Sequence, residues 1–335
     1  MKSLKAAAIK VPAAALSDPA HYVRDDLSRA EHRLAGLLDS RESLISEICH
    51  YLVDGAGKRL RPLFVMLVYR ACGGSDHAVA DAIDSAIALE LIHSATLLHD
   101  DIIDTGMLRR GKPSAYARYG VAGSLIAGDF LFSRAFELCG RFDERLVRTA
   151  ARACIQLTEG EVMEGRLRHQ TAATVDDYLA IITRKTASLF AAGGRVAADL
   201  AGATPARIDA MERLGLAVGR AFQMVDDLLD IAGPEEKIGK PVGSDLRAGV
   251  LSLPAVIGMN EIPELHAIFA NGAVTDNGAL ARALELMRGP LVMRRAKAMI
   301  TAEIAGAHQL LDQLDESPYR DGLKLLIEDQ IDRES

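Results

Sequence analysis

Two aspartate clusters of one form, Asp100-Asp101-Ile-Ile-Asp104 and Asp226-Asp227-Leu-Leu-Asp230, stand in a chain that otherwise reads as apolar helices. With about 3.6 residues per helical turn, positions four apart share a face, so Asp100 pairs with Asp104 and Asp226 with Asp230. Each cluster therefore presents several carboxylates in one direction. Carboxylates crowded on apolar helices repel one another and resist dehydration, so they call for cations between them and for an anion those cations can hold. Acids at a helix C-terminus also oppose the helix dipole, which leaves a purely structural role for residues 100 to 104 without a cause. Magnesium bridging to a phosphorylated substrate answers both conditions.

The rest of the chain supplies helices to carry these clusters. Its 335 residues are 49% apolar and only 4% aromatic, without tryptophan, and alanine is spread throughout. That composition favours helix over strand. No linker, low-complexity tract or charge block divides the sequence, so the expectation is an all-α protein built as a single large helical bundle over residues 21–335, after a flexible N-terminal tail over 1–20. Lys10 and Pro12 interrupt the apolar start before it can serve as a secretory signal, and no apolar run is long enough to span a bilayer. The formal net charge of −7 argues against a nucleic-acid partner. Cys49, Cys72, Cys139 and Cys154 lack metal-ligand spacing and read as reduced core residues of a cytoplasmic protein.

Helical periodicity runs from about residue 22 to 53 and stops at Asp54-Gly55-Ala56-Gly57. Arg61-Pro62 opens a helix to about Cys72, and a long buried helix from about Asp76 ends in the first aspartate cluster. After the loop LRRGKPS, residues 108–114, helices are expected at about 123–139, 145–167, 175–200 and 205–232, the last carrying the second cluster. A glycine- and proline-rich stretch over 239–254 is long enough to act as a movable cover. No strand is expected.

Basic and polar groups gather around the acids. Lys58 and Arg61 lie three apart in GKRLRP, and His93 stands nearly two turns before Asp100 on the same face; alone it would pass for a core histidine, but the three together make a compact cationic nest for a diphosphate. Arg109-Arg110 offer permanently charged forks suited to phosphate oxygens. Lys185 and Thr186 place an ammonium and a hydroxyl inside an apolar helix, where an uncompensated lysine is costly. The amide of Gln223 can lie beside Asp226 and Asp227, while Lys240 and Asp245 come next on the loop, from which Lys240 can close over a phosphate.

GKRLRP, IHSATLLHDDIID with LRRGKPS, KTASLF, FQMVDDLLD and GKPVGSDLRAGVLSLP, in this order over nearly the whole chain, closely resemble the trans-isoprenyl diphosphate synthases, the polyprenyl synthetase family. One such aspartate motif is shared with terpene cyclases, whereas five motifs in sequence are specific. The resemblance implies an isoprenoid-synthase fold with a central cavity, a homodimer, and head-to-tail prenyl transfer from an allylic diphosphate to isopentenyl diphosphate. It implies magnesium held by Asp100, Asp101, Asp104, Asp226, Asp227 and Asp230, with Lys185, Arg109 and Lys240 on the leaving diphosphate. Lys58, Arg61, His93 and Arg110 would hold isopentenyl diphosphate, with Thr186 and Gln223 near the allylic group.

Ala95 and Thr96 are small where short-chain members carry an aromatic, which implies a long-chain product serving quinone side chains; contact with a membrane surface during product release goes with it. Departures are Thr105-Gly106-Met107 after the first cluster and the tail EDQIDRES. A short-chain farnesyl or geranylgeranyl synthase, a noncatalytic subunit and a terpene cyclase are the alternatives. The intact aspartate clusters speak against the subunit, and the two basic sites for a second diphosphate speak against the cyclase.

Overall fold

The computed structural model describes residues 18–53, 59–232, 242–270, 274 and 276–332. Among these the chain is helical almost throughout, as its composition requires. After a short turn at Pro19–Val23, helices α1 (Arg24–Leu37) and α2 (Ser43–Val53) share the first periodic stretch, which breaks where Ser46 accepts a hydrogen bond from the Ser40 amide. Next come α3 (Leu60–Ala71), α4 (Val79–Ile103), α5 (Ala115–Cys139) and α6 (Glu144–Leu167). Continuing the chain are α7 (Val175–Ile182), α8 (Ser188–Leu200) and α9 (Pro205–Ala232). The C-terminal part holds α10 (Ser244–Ala248), α11 (Leu253–Glu261), α12 (Pro263–Ala270), α13 (Asn277–Met287), α14 (Pro290–Leu311) and α15 (Pro318–Asp332).

Helices α3, α4, α8 and α9 pack on one another as the centre, with α5 and α6 against one side and α14 and α15 against the other. α4 is buried around nearly its whole circumference, which explains why its sequence shows apolar residues on every face and not a stripe. Its lower end is locked by Asp84, almost fully buried, which accepts from Arg33 at 3.0 Å and from Arg141. α8 and α9 touch backbone to backbone: a Cβ on Gly194 would lie 2.2 Å from the Met211 carbonyl oxygen, and one on Gly215 would lie 2.3 Å from that of Phe190. Only glycine permits this approach, and it draws the segments carrying Lys185 and Gln223 together.

Two local features depart from the sequence expectation. Leu108–Arg109 and Lys112–Pro113 pair as a minimal antiparallel ladder where a plain loop was expected. Its turn has Arg110 at φ 52° and Gly111 at φ 75°, the left-handed pair that suits a two-residue hairpin. Between α7 and α8, expected as one helix, Thr183–Ala187 forms a π-helical turn. Such turns accompany functional sites, and this one contains Lys185 and Thr186. Among the described residues no helix is long and apolar enough to cross a membrane. All four cysteines are free, three of them buried.

Candidate active site

One cavity of about 440 Å³ collects residues from five separated sequence motifs: Arg61 from α3, His93, Thr96 and Asp100 from α4, Arg109 and Arg110 from the hairpin, Lys185 and Thr186 from the π turn, and Gln223 and Asp226 from α9. Its walls are completed by Leu97, Leu157, Leu189 and Phe222. Acids of the two clusters thus share one space, with cations around them and apolar side chains beyond. Lys58 and Lys240 lie outside the described residues.

Within each cluster the aspartates part company. Asp100 lines the cavity, and burial pushes its carboxyl up to about 7 against the opposing pull of Lys185. Asp101 is buried and accepts a forked bond from Arg109, 2.8 Å from Nη2 and 3.0 Å from Nε. Asp104, at the end of α4, accepts from Arg168. In the second cluster Asp226 is open to the cavity. Asp227 is 5% exposed and points into the protein, where burial pushes it up to about 8. Asp230 is also buried, and Ser244 donates to it at 3.0 Å. Asp226 and Asp230 stand one turn apart on α9, and Ser244 at the start of α10 packs against the second of them.

The cations form two groups. Arg61 is half-buried in the cavity wall with its guanidinium 5.0 Å from the centre of the Phe190 ring, and desolvation lowers its pKa to about 10. Its Nε has no hydrogen-bond partner among the described residues, an arrangement that favours an anionic occupant. Burial, followed by the charges of Arg61, Arg109 and Arg110, drives the His93 pKa well below its ordinary value, so the imidazole is neutral. Arg59, the residue between Lys58 and the α3 start, is occupied structurally, donating to Glu31 at 2.7 Å, Glu90 at 3.1 Å and the Val53 carbonyl at 2.8 Å.

On the other wall, Lys185 is held 2.6 Å from Glu161 and 2.9 Å from Glu164. Burial alone would push this ammonium down, but Glu164, Asp100 and Glu161 outweigh it and its pKa is raised. Glu164 also lies 3.5 Å from Arg168, the partner of Asp104. A chain of alternating charge, Lys185 to Glu164 to Arg168 to Asp104, thus joins the π turn to the first cluster. Sequence reasoning missed Glu161, Glu164 and Arg168. The signal was present: acids three apart on α6, a helix facing the segment with an otherwise uncompensated lysine.

Thr186 donates to the Gln223 carbonyl at 2.9 Å, and the Gln223 amide donates to Asp227 at 2.9 Å, as its position one turn away suggested. Of the two small residues before the first cluster, Thr96 lines the cavity and Ala95 is fully enclosed.

Among the described residues no three His, Cys, Asp or Glu side chains come together as a ready metal cage. Magnesium keeps much of its coordination for water and substrate phosphates and takes few protein carboxylates. The donor set present, Asp100 and Asp226 in one cavity with Asp104 one turn beyond Asp100 at the end of α4, fits a metal that arrives with its diphosphate.

An all-helical bundle that sets acids and bases from separate helices around one part-apolar cavity defines a protein for phosphorylated, greasy substrates. The polyprenyl synthetase pattern matches residues 42–287. The chain is 35% identical over 315 residues to the nonaprenyl diphosphate synthase of Mycobacterium tuberculosis, covering 93% of each. It is 34% identical over 294 residues to the short chain isoprenyl diphosphate synthase of Methanothermobacter thermautotrophicus, covering 85% of this chain and 89% of the other. A polyprenyl synthase from Caulobacter crescentus, solved with calcium and isoprenyl diphosphate, superposes with a TM-score of 0.90 at 31% identity, covering 96% of this chain and 98% of its own. This chain belongs to the polyprenyl synthetase family, whose members are prenyl diphosphate synthases.

Proposed function

We propose that the protein elongates an allylic prenyl diphosphate with isopentenyl diphosphate to a long-chain all-trans polyprenyl diphosphate, as a single helical unit over residues 21–335. The observation that carries this reading is the single cavity shared by Asp100 and Asp226 with Arg61, His93, Arg109, Arg110 and Lys185. Asp100, Asp104 and Asp226 would hold magnesium. When bound, the metal supplies positive charge to the departing diphosphate as the allylic carbon–oxygen bond breaks. Lys185, fixed by Glu161 and Glu164, places an ammonium beside Asp100 for the same charge, and Lys240 adds to it from the loop.

Arg61, His93 and Arg110, with Lys58, bind the second diphosphate and orient the isopentenyl double bond toward the allylic carbon. A new carbon–carbon bond forms there, and the proton then lost from the isopentenyl unit passes to the released diphosphate. Thr186 and Gln223 present neutral dipoles that support the allylic cation without capturing it. Leu97, Leu157, Leu189 and Phe222 keep water from that cation.

The Mycobacterium and Methanothermobacter relatives make products of different length, so length is read from this chain's own residues. Thr96 is small and faces the cavity, leaving room for a growing chain. The apolar side chains of Val121, Leu125 and Ile126 on α5 and Ile155 and Val162 on α6 are exposed, and a patch of this kind fits a homodimer interface. Ile103, Met107 and Leu108 are exposed near the mouth, suited to brief membrane contact as a quinone side-chain precursor leaves.

Incubating the purified chain alone with farnesyl diphosphate, labelled isopentenyl diphosphate and magnesium, and resolving the products by length, tests the proposal. Elongation well beyond geranylgeranyl diphosphate supports it. No elongation points to a noncatalytic subunit, and a product that stops at geranylgeranyl diphosphate to a short-chain synthase. Thr96→Phe and Ala95→Phe should each shorten the product, and unchanged length would reject Ala95 as a gate.

A further inference from the structure

We propose that Asp227 is a positioning residue and not a metal ligand: it fixes which end of the Gln223 amide faces Thr186 and thereby aims the oxygen lone pairs of Thr186 into the cavity. This rests on the protein's being an elongating prenyl diphosphate synthase.

Asp226 and Asp227 are neighbours on α9 but lie about 100° apart around the helix axis. Asp226 lines the cavity, and Asp227 does not. Both oxygens of Asp227 are engaged inside the protein. Oδ2 accepts from the Tyr178 hydroxyl at 2.7 Å and from the Leu253 amide at 2.8 Å, while Oδ1 accepts from Gln223 Nε2 at 2.9 Å. Tyr178 is fully buried on α7. Leu253 opens α11, whose preceding Ser252 makes no side-chain cap, so Asp227 satisfies a helix-end amide that would otherwise lack a partner. Three helices thus fix the carboxylate in place, facing away from the substrate space.

Hydrogen-bond polarity carries this order onward to the cavity. Oδ2 is filled by two donors, and Oδ1 of the carboxylate has only lone pairs to offer. The Gln223 group facing it must therefore be the NH₂ end. The Gln223 oxygen then faces Thr186, 2.9 Å away. Thr186 has one proton and must donate it there, which leaves its lone pairs for the cavity. With the amide reversed, Thr186 would accept from the NH₂ group and turn its own O–H outward. A hydroxyl hydrogen directed at a forming carbocation is repulsive where lone pairs are attractive.

Asp227→Asn should produce that reversal without leaving a buried group unpaired. Tyr178 and Leu253 both donate, so the asparagine oxygen takes their side and its NH₂ faces Gln223. Gln223 then turns its oxygen to asparagine and its NH₂ to Thr186. The expected result is a protein with a thermal midpoint close to wild type, both KM values within about twofold, and kcat reduced by about tenfold or more. Calorimetric titration with inorganic diphosphate and magnesium, which needs no turnover, should give wild-type affinity for Asp227→Asn and a clear loss for Asp226→Asn.

In a Thr186→Val background, Asp227→Asn should cost clearly less in kcat than it does in wild type. Weakened magnesium diphosphate binding in Asp227→Asn would overturn the proposal, as would unchanged kcat or full additivity with Thr186→Val. Should Asp227→Asn not fold, Gln223→Met cuts the same link while leaving Asp227 its two anchors. Its kcat should fall at least as far as that of Asp227→Asn, and in its background Thr186→Val should cost clearly less than in wild type; an undiminished cost would equally refute the inference. Failure of the wild-type chain to elongate would strike the underlying reading instead.

Discussion

Lys185→Met gives the sharpest energetic test of the site. The Lys185 ammonium lies 2.6 Å from Glu161 and 2.9 Å from Glu164, and the three side chains are 21%, 15% and 11% exposed. Removing it leaves two largely buried carboxylates facing each other next to Asp100. Breaking a buried pair costs about 3–5 kcal/mol because the remaining charge is stranded. Arg168 still lies 3.5 Å from Glu164 and some water reaches the site, so the lower end, about 3 kcal/mol, is expected. With about 2.1 cal/mol/K of unfolding entropy per residue, a chain of 335 residues converts this into a fall in Tm of about 4 °C. Differential scanning calorimetry of metal-free protein reads it directly. Lys185→Met with Glu164→Gln should recover about half, since one stranded charge is gone. Turnover of the single variant should fall by about 10²–10³, the usual consequence of losing one preorganised group at a developing anion. A Tm within 1 °C of wild type, or a double variant less stable than the single, would refute the clamp.

Packing, assembly, metal and pH each offer a further test. Gly215→Ala sets a methyl 2.3 Å from the Phe190 carbonyl oxygen, a backbone atom that cannot step aside; urea unfolding should show a loss of about 3 kcal/mol. Ile155→Asp with Val162→Asp should turn a dimer into a monomer in sedimentation velocity, and unchanged sedimentation would remove α6 from the interface. Magnesium alone should barely move Tm, whereas magnesium with inorganic diphosphate should raise it by several degrees, because the acids among the described residues do not form a cage without the anion. His93 is held neutral in the fold, so as pH drops below its unfolded pKa of about 6.5 the unfolded chain gains the proton first and stability is lost. Asp100 works in the opposite sense, its raised carboxyl costing stability as pH climbs toward about 7. Urea unfolding of wild type and His93→Gln at about pH 5.5 and about pH 7 isolates the histidine: the variant should lose less stability on acidification, and equal losses would contradict a neutral imidazole.

How far the sequence could be read depends on the range over which each signal acts. Helical periodicity is local, so α3, α4, α6 and α9 were legible to within a few residues. The π turn at Thr183–Ala187 was not, because one extra residue in a turn leaves the apolar pattern nearly intact while it re-aims Lys185. The two aspartate motifs announced a charged site, yet the surroundings of each carboxylate are set by partners outside the motif. Arg109 covers Asp101, Ser244 covers Asp230, and Tyr178 with Leu253 claim Asp227. A repeated motif therefore encodes two kinds of acid. One kind remains open to the cavity, and the other holds the helices and amides around it in register. Glu161 and Glu164 show the converse, since acids in no recognisable motif become part of the site because Lys185 needs a counter-charge. The same physical demand, that no charge be buried alone, governs both cases and joins the chemistry of the cavity to the stability of the bundle.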